Sequence, residues 1–337
     1  MGRKNIFGLI VIVLAFACNR NPLDVDISKV NVPKVKVDRM DQEVFKTGTM
    51  SEVELQANLQ RKYGNFYNGF QSVISSVFPD STAQYNLYMF RHDSIMRAAF
   101  LEGDKLYPDL NELESALTLA YKHFRFHFPL RHLPRPVAYI SGFNFKQFPV
   151  DSIIGIGLDM YLGSNVRFYQ MIQFPKYKTY AMNSNYMLTD FVAAWMLTEF
   201  PKSQEKKDLL NEMIYNGKIL YLADALMPSV EDSVKIEYAS KQLNWCKANE
   251  YNMWAYLVQQ KLLYTTDPTE IIKYIGDGPF TAAFNPKDSP ARVGSWLGWM
   301  IVRNFMKHNP KLSLEDLMAE TDGQVILSKS HYKPSKQ

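Results

Sequence analysis

Cysteine is scarce in this sequence of 337 residues, which contains only Cys18 and Cys246. A disulfide between them would join the extreme N-terminus to the middle of the chain, which is an odd framework for a disulfide-stabilised fold. Cys246 stands between Trp245 and Lys247 in a helical pattern. We therefore expect Cys246 to be a small buried hydrophobic side chain and not a nucleophile.

Charge of one sign is also scarce. The 38 basic and 34 acidic residues leave a net charge of +4, and no basic run is interleaved with aromatic residues. Such a weak balance argues against a nucleic-acid partner. Beyond the N-terminal stretch, no apolar run approaches the roughly 20 residues that a membrane-spanning helix needs. The chain is nevertheless 47% hydrophobic, which provides ample material for a folded core.

Motifs that carry catalytic or cofactor chemistry are missing as well. The sequence contains no G-x-S-x-G, Walker, C-x-x-C or H-E-x-x-H motif, and Gly155–Asp159 lacks the third glycine of a dinucleotide-binding loop. His123 and His127 have the spacing of a helical metal pair, but no glutamate accompanies them and His132 lies beyond Pro129. We expect a structural or surface pair, no bound metal and no cofactor.

The N-terminus has the pattern of an export signal. Arg3 and Lys4 precede an apolar run that ends directly before Cys18, and residues 14–18 resemble a bacterial lipobox. This pattern predicts a signal peptide over residues 1–17, a lipid on Cys18, a tether over residues 18–31 and a globular domain over residues 32–337. The alternative is an ordinary secretory signal with an incidental cysteine. No acidic run follows Cys18, which favours the periplasmic side of the envelope, on either membrane.

The remaining chain is typical of a predominantly helical α+β single domain with a small β-sheet. Alternation predicts a strand over Val32–Asp38, and the segments Arg135–Phe143 and Asp151–Leu158 are expected to form a hairpin or small sheet. A capping box is expected at Ser51 with Glu54, Asp109 with Glu112 is expected to open another helix, and Ser313 with Asp316 is expected to begin a last short helix. Further helices are predicted at residues 185–199, 204–225, 240–247, 250–263 and 268–275.

One buried helix near the C-terminal end, Ser289–Arg303, is the stretch around which we expect the fold to be organised. Ser289 is predicted to cap it and Pro290 to occupy its first turn. Gly294 and Gly298 are four residues apart on one face, which predicts the close approach of another backbone. Arg292 and Arg303 are interpreted as charged groups at the helix ends.

A second helix, containing Thr189–Glu199, has carboxylates near both ends. Asp190 and Glu199 are more than two helical turns apart, so they cannot easily share a metal or a water molecule. We interpret Asp190 as a partner of the helix dipole and Glu199 as a surface charge.

The order of several short segments carries a resemblance to a known family. After the lipoprotein start come Ile156–Gly163, Met213–Lys218 with Tyr221 and Leu222, Leu243–Cys246, Leu262–Asp267 and Arg292–Trp299. Together they resemble the gliding motility lipoprotein GldB of the Bacteroidetes, over nearly the whole chain. The signature positions carried by the resemblance are Asp159, Tyr161, Gly163, Arg292, Gly294, Trp296 and Gly298.

This resemblance implies a periplasm-facing lipoprotein required for gliding, working with other gliding-motility proteins of the envelope and with no known cofactor. A more distant similarity is to zinc-dependent peptidases, which implies a zincin-like fold. The helix around Asp190–Glu199, where such enzymes would carry H-E-x-x-H, contains no histidine. The resemblance therefore implies a non-catalytic relative. The alternatives are an envelope metallopeptidase using His123, His127 and a distant carboxylate, and a peptidoglycan-binding module.

Overall fold

The computed structural model describes residues 23–77, 83–203, 205–284 and 288–336. The protein is 59% helical, and its described part contains sixteen α-helices and a four-stranded sheet, which confirms the predicted helical α+β class. The lipidation site predicted at Cys18 lies outside the described residues.

The helices follow one another along the chain, with the strands inserted near the N-terminus and in the middle. The helices are α1 Met40–Phe45, α2 Glu52–Tyr63, α3 Asn65–Val77, α4 Ala83–His92, α5 Ser94–Leu106, α6 Asn111–His127, α7 Arg167–Met171, α8 Lys176–Thr179, α9 Met187–Glu199, α10 Leu209–Leu226, α11 Asp232–Lys235, α12 Ser240–Gln259, α13 Pro268–Ile275, α14 Val293–His308, α15 Leu314–Ala319 and α16 Gly323–Ser330. The strands are β1 Asp38–Arg39, β2 Arg135–Tyr139, β3 Gln147–Val150 and β4 Ile153–Gly157.

The sheet has the order β1-β2-β4-β3, so of the two predicted arrangements, a hairpin or a small sheet, the small sheet is confirmed. Strands β2 and β4 are parallel neighbours, with Arg135 opposite Ile153 and Tyr139 opposite Gly157. The hairpin is instead formed by β3 and β4, which turn at Asp151 with a left-handed φ of 51°. Parallel strands need a crossover between them, and residues 140–152, including β3, supply it. The strand predicted over Val32–Asp38 was wrong except at Asp38, which begins the two-residue strand β1.

The helical core is organised around α10 and α14. The prediction that α14 begins at Ser289 was wrong: the helix begins at Val293, behind Arg292 in a left-handed conformation with φ 58° and ψ 30°. Residues preceding Arg292 instead form a loop, in which the Pro290 carbonyl accepts from the backbone N–H of Thr281 at 2.9 Å. The predicted close backbone approach is confirmed, because Gly298 of α14 contacts Met213 of α10.

The helix predictions made from local sequence signals are largely confirmed. The capping box predicted at Ser51 is present, and the helix expected near Asp109 begins at Asn111. A short helix begins after Ser313, as predicted, and Ser313 and Asp316 also form a capping box. The two helices predicted over 240–263 are one, α12, and α16 was not predicted. Cys246 is fully buried, as expected, and burial raises the pKa of its thiol well above the usual range.

The N-terminal end of the described chain lies against the domain. Leu23 is buried in the core and Val30 packs against it. A segment that acts purely as a tether would therefore have to precede Leu23. Among the helices of the described residues, none is both long enough and apolar enough to cross a membrane.

Candidate functional site

A cleft of about 640 Å³ opens beside the residues that precede α14. Its charged interior is formed by Lys146 from the loop before β3, Glu237 from the loop after α11, and Arg292. Its walls are largely apolar and aromatic. Four exposed residues lie along α8 and its end: Lys176, Tyr177, Lys178 and Tyr180. A concave apolar surface with a few polar groups at its base is the usual form of a binding site.

The Lys146 cluster, which comprises Lys146, Tyr161, Asp190, Glu237 and Arg292, gathers side chains from five separate segments. The Lys146 ammonium lies 2.7 Å from Glu237 Oε1 and 3.2 Å from Asp190 Oδ2. The hydroxyl of Tyr161, which is fully buried, donates to Asp190 Oδ2 at 2.7 Å. One lysine therefore neutralises carboxylates from two elements that are remote in sequence.

The two carboxyl groups of this cluster differ in their affinity for protons. Burial raises the pKa of Asp190 to about 7; Lys146 opposes this shift and Glu237 reinforces it. Burial also disfavours ionisation of Glu237, but Lys146, Arg292 and a hydrogen bond with Asp190 outweigh it and hold its pKa below the usual range. Close carboxyl groups of this kind share a proton. Below about pH 7 the proton resides mainly on Asp190, and Glu237 is the ionised member.

Backbone strain is concentrated around the cleft. Phe143, Glu237 and Arg292 have φ values of 61°, 57° and 58°, and they are three of the seven non-glycine residues with positive φ in the described part of the chain. Such conformations cost of the order of 1 kcal/mol or more each and persist where the surrounding structure holds them. Two contacts of the Arg292 side chain help to hold its conformation. The guanidinium donates to the Ile236 carbonyl at 2.7 Å and lies 3.6 Å from the Asp277 carboxylate.

The first three signature residues, Asp159, Tyr161 and Gly163, lie in the segment that follows β4. Asp159 is fully buried, and its carboxylate accepts the backbone N–H groups of Ser141 and Phe143 at 2.7 and 2.6 Å. Tyr161 belongs to the Lys146 cluster. Gly163 has φ 109° and its N–H donates to the Met182 carbonyl. These contacts hold the loop after β2 and the segment after β4 together.

The remaining signature residues lie in α14 or directly before it, and they divide into two groups. Arg292 lines the cleft, where the structure places it in the Lys146 cluster. Gly294, Trp296 and Gly298 are buried in the helical core. Arg303, interpreted as a helix-end charge, pairs instead with Asp224 and Asp232 and lies over the ring of Trp299.

The interpretations of Asp190 and Glu199 need correction. Asp190 is a member of the Lys146 cluster, with its side chain only 12% exposed, and not merely a dipole partner. Glu199 pairs with Arg131 at 2.7 Å. Sequence reasoning missed Lys146 and Glu237 altogether. Each is a single charged residue in a loop, without a spacing that could have marked it.

The histidine pair on α6 does not line the cleft. His123 is buried, and burial together with the nearby His123 lowers the pKa of His127 to about 4. Within the described ranges, no group of three or more His, Cys, Asp or Glu side chains is arranged to hold a metal ion. The two histidines therefore belong to the packing of α6, and no third metal-ligating side chain accompanies them among the described residues.

The pKa of Asp190 predicts how stability depends on pH. Between about pH 4 and pH 7 the unfolded chain releases this proton while the folded state retains it, so this group makes the folded state less stable as pH rises. Asp190→Asn removes the titration. We expect the stability of the variant relative to the parent to increase across this range, by about 1.4 kcal/mol for each unit of pKa difference. Urea unfolding at several pH values measures it, and a relative stability that falls with pH would contradict the assignment.

Fold and site together define a helical α+β domain with a charged cleft rimmed by tyrosine and lysine. The chain belongs to the gliding motility protein GldB family, whose profile matches residues 20–334. No curated protein and no solved structure matches the chain. The family match includes nearly all of the described residues, so both the core and the cleft belong to the family domain. Membership indicates a role in gliding motility.

Proposed function

We propose that this protein is a non-catalytic lipoprotein component of the gliding apparatus, and that the cleft binds another gliding-motility protein of the cell envelope. The observation that carries the proposal is the family match over residues 20–334. Residues 1–17 are the signal peptide, residues 18–31 lead from the lipid, and residues 32–337 are the globular domain. The lipid on Cys18 holds the domain at the membrane, facing the periplasm.

Two features of the structure support binding over catalysis. The ionisable groups at its base are paired with one another: Lys146 with Asp190 and Glu237, and Arg292 with Glu237. A group engaged in this way is poorly placed to act on a substrate. The helix that contains Asp190, where a zincin-like enzyme would carry its motif, has no histidine.

The rim of the cleft, by which we mean the four exposed residues on α8 and its end, indicates the chemistry of the partner. Lys176 and Lys178 are exposed beside Tyr177 and Tyr180. Exposed aromatic side chains are enriched at protein interfaces, and two lysines on one short helix favour a segment with carboxylates. The cleft therefore suits an acidic partner segment that also carries apolar residues.

The test is affinity purification of the full lipidated chain from native envelopes, followed by mass spectrometry and metal analysis. We expect other gliding-motility proteins with the parent and their loss when Lys176→Glu and Lys178→Glu are combined, because the rim then repels acidic groups. Lys105→Glu with Lys329→Glu, two exposed lysines outside the cleft, is the matched control. Cys18→Ala should move the protein out of the membrane fraction.

Other outcomes would favour the competing functions. Stoichiometric zinc, with peptidase activity that is lost in His127→Ala, would overturn the non-catalytic assignment. Retention on purified cell wall, unchanged by the rim substitutions, would favour a peptidoglycan-binding module instead.

A further inference from the structure

A second cavity, of about 310 Å³, lies where the end of α9 meets α10 and the segment between α15 and α16. Its lining is strongly biased in charge. Among the described residues that line it, one is a carboxylate, Glu199, and four are basic: Arg131, Lys202, Lys206 and Lys218. No described residue is shared between this cavity and the cleft.

Three of the four basic side chains have carboxylate partners, mostly outside the cavity wall. The ion pairs are Arg131–Glu199 at 2.7 Å, Arg131–Glu315 at 3.3 Å, Lys202–Glu212 at 2.6 Å and Lys206–Asp322 at 2.5 Å. Even so, Arg131 retains an unused donor, since its buried Nε has no hydrogen-bond partner among the described residues. The guanidinium plane is held over the ring of Phe200, 4.5 Å from the centroid.

Lys218 differs from the other three. Its residue is only 5% exposed, and its ammonium donates to the backbone carbonyl of Glu320. No carboxylate among the described residues lies within 4.0 Å of this ammonium. A lysine ammonium has three N–H donors, so one carbonyl leaves two donors for a ligand. Burial lowers the pKa of Lys218 to about 8, which still leaves the side chain mainly protonated at pH 7.

The Glu320 carboxylate raises the pKa of Lys218 and so partly opposes the effect of burial, but it forms no ion pair with the ammonium. A buried cation without an ion-pair partner is costly, because little of its lost hydration is replaced. An anion in the cavity would supply an opposite charge. The two remaining donors of Lys218 and the unpartnered Nε of Arg131 favour an oxyanion that offers several acceptor oxygens, and lysine is a common ligand of phosphate. At about 30 Å³ for each water molecule, the cavity has room for roughly ten, which is more than a phosphate group alone requires.

We propose that this cavity is a phosphate-binding site, in which the Lys218 ammonium and the unpartnered Nε of Arg131 contact the oxyanion, while Lys202 and Lys206, each paired with a carboxylate, lie around it. The ligand is inorganic phosphate or the phosphate of a larger molecule, such as a phosphorylated sugar. The site is independent of the partner-binding cleft, so either can fail without the other.

The test is calorimetric titration of the full chain in detergent with inorganic phosphate, glucose 6-phosphate and acetate. We expect saturable binding of at least one phosphate probe, weaker binding of acetate, and an affinity that falls as pH rises through about 8. Tighter binding of glucose 6-phosphate than of inorganic phosphate would identify a phosphorylated sugar as the ligand class. Absence of saturable binding by both phosphate probes, or acetate binding as tightly as phosphate, overturns the proposal.

Lys218→Met keeps the length of the buried side chain and removes its charge, and we expect it to weaken phosphate binding by about tenfold or more. Lys105→Met, at an exposed lysine outside both the cavity and the cleft, is the matched control and should bind phosphate as the parent does. Because Lys218 is buried, Lys206→Gln at an exposed position provides a second variant, expected to weaken binding by a smaller factor. If both Lys218→Met and Lys206→Gln retain parental affinity, the phosphate does not bind in this cavity.

A spectroscopic measurement separates direct contact from a structural effect. In the parent with ¹³C-labelled lysine, bound phosphate should raise the pKa of the Lys218 ammonium, since an adjacent anion favours the charged form. A resonance assigned through the Lys218→Met variant that does not shift on phosphate addition would contradict the contact.

Discussion

Replacement of Gly298 by alanine is expected to destabilise the folded domain by about 3 kcal/mol, because it forces the two central helices apart. A Cβ atom at Gly298 would lie 1.8 Å from the backbone oxygen of Met213, a distance that no side-chain movement can relieve. The contact is reciprocal across α10 and α14, since a Cβ atom at Gly217 would lie 2.3 Å from the carbonyl carbon of Gly298. Urea unfolding followed by circular dichroism measures the loss.

Gly103→Ala is the matched control for this prediction. Gly103 is buried within α5, and a Cβ atom there would meet its nearest neighbour at an ordinary contact distance of 3.7 Å. Alanine is favoured over glycine inside a helix by up to about 1 kcal/mol, so this variant should be at least as stable as the parent. If Gly298→Ala were as stable as Gly103→Ala, the helices would not be in backbone contact and the arrangement of the core described above would be wrong.

Replacement of Asp159 by alanine is expected to cost at least about 3 kcal/mol, because three buried donors lose their acceptor and each unsatisfied donor costs about 1 kcal/mol or more. Those donors are the N–H and the hydroxyl of Ser141 and the N–H of Phe143. The turn they belong to includes Gly142 and Phe143, both with positive φ, and consecutive N–H groups in such a turn converge on an anion. Without the carboxylate, the strained turn keeps only its internal hydrogen bonds, such as those from the Asn144 side chain to the carbonyls of Ser141 and Gly142.

Denaturant unfolding measures this loss as well, and Asp267→Ala serves as its control. Asp267 is also an aspartate that accepts from nearby N–H and hydroxyl groups, at the N-terminus of α13. Because Asp267 is exposed, water replaces the lost acceptor, and the loss of stability should be much smaller. Similar losses for the two variants would mean that Asp159 acts only as a local cap and does not hold the loop after β2 in place.

The family and the helical class could be reached from the sequence because their signals are local or lie in order along the chain. Capping boxes at Ser51 and Ser313 require residues only three positions apart. The glycine pair on α14 marked a close backbone approach for the same reason. The candidate functional site could not be predicted from the sequence in this way. Of the seven signature positions, only Tyr161 and Arg292 belong to the Lys146 cluster, and no pattern distinguished them from the others.

What the sequence by itself determined is therefore the helices with their caps, the apolar faces that they bury, and the spacing of Gly294 and Gly298. The tertiary structure alone decided the parallel pairing of β2 with β4, the left-handed conformation of Arg292 that starts α14 at Val293, and the gathering of the Lys146 cluster. The physical reason is one of range. Helix formation depends on residues three or four positions apart, whereas strand pairing and the pairing of buried charges depend on which distant segments the packed core brings together.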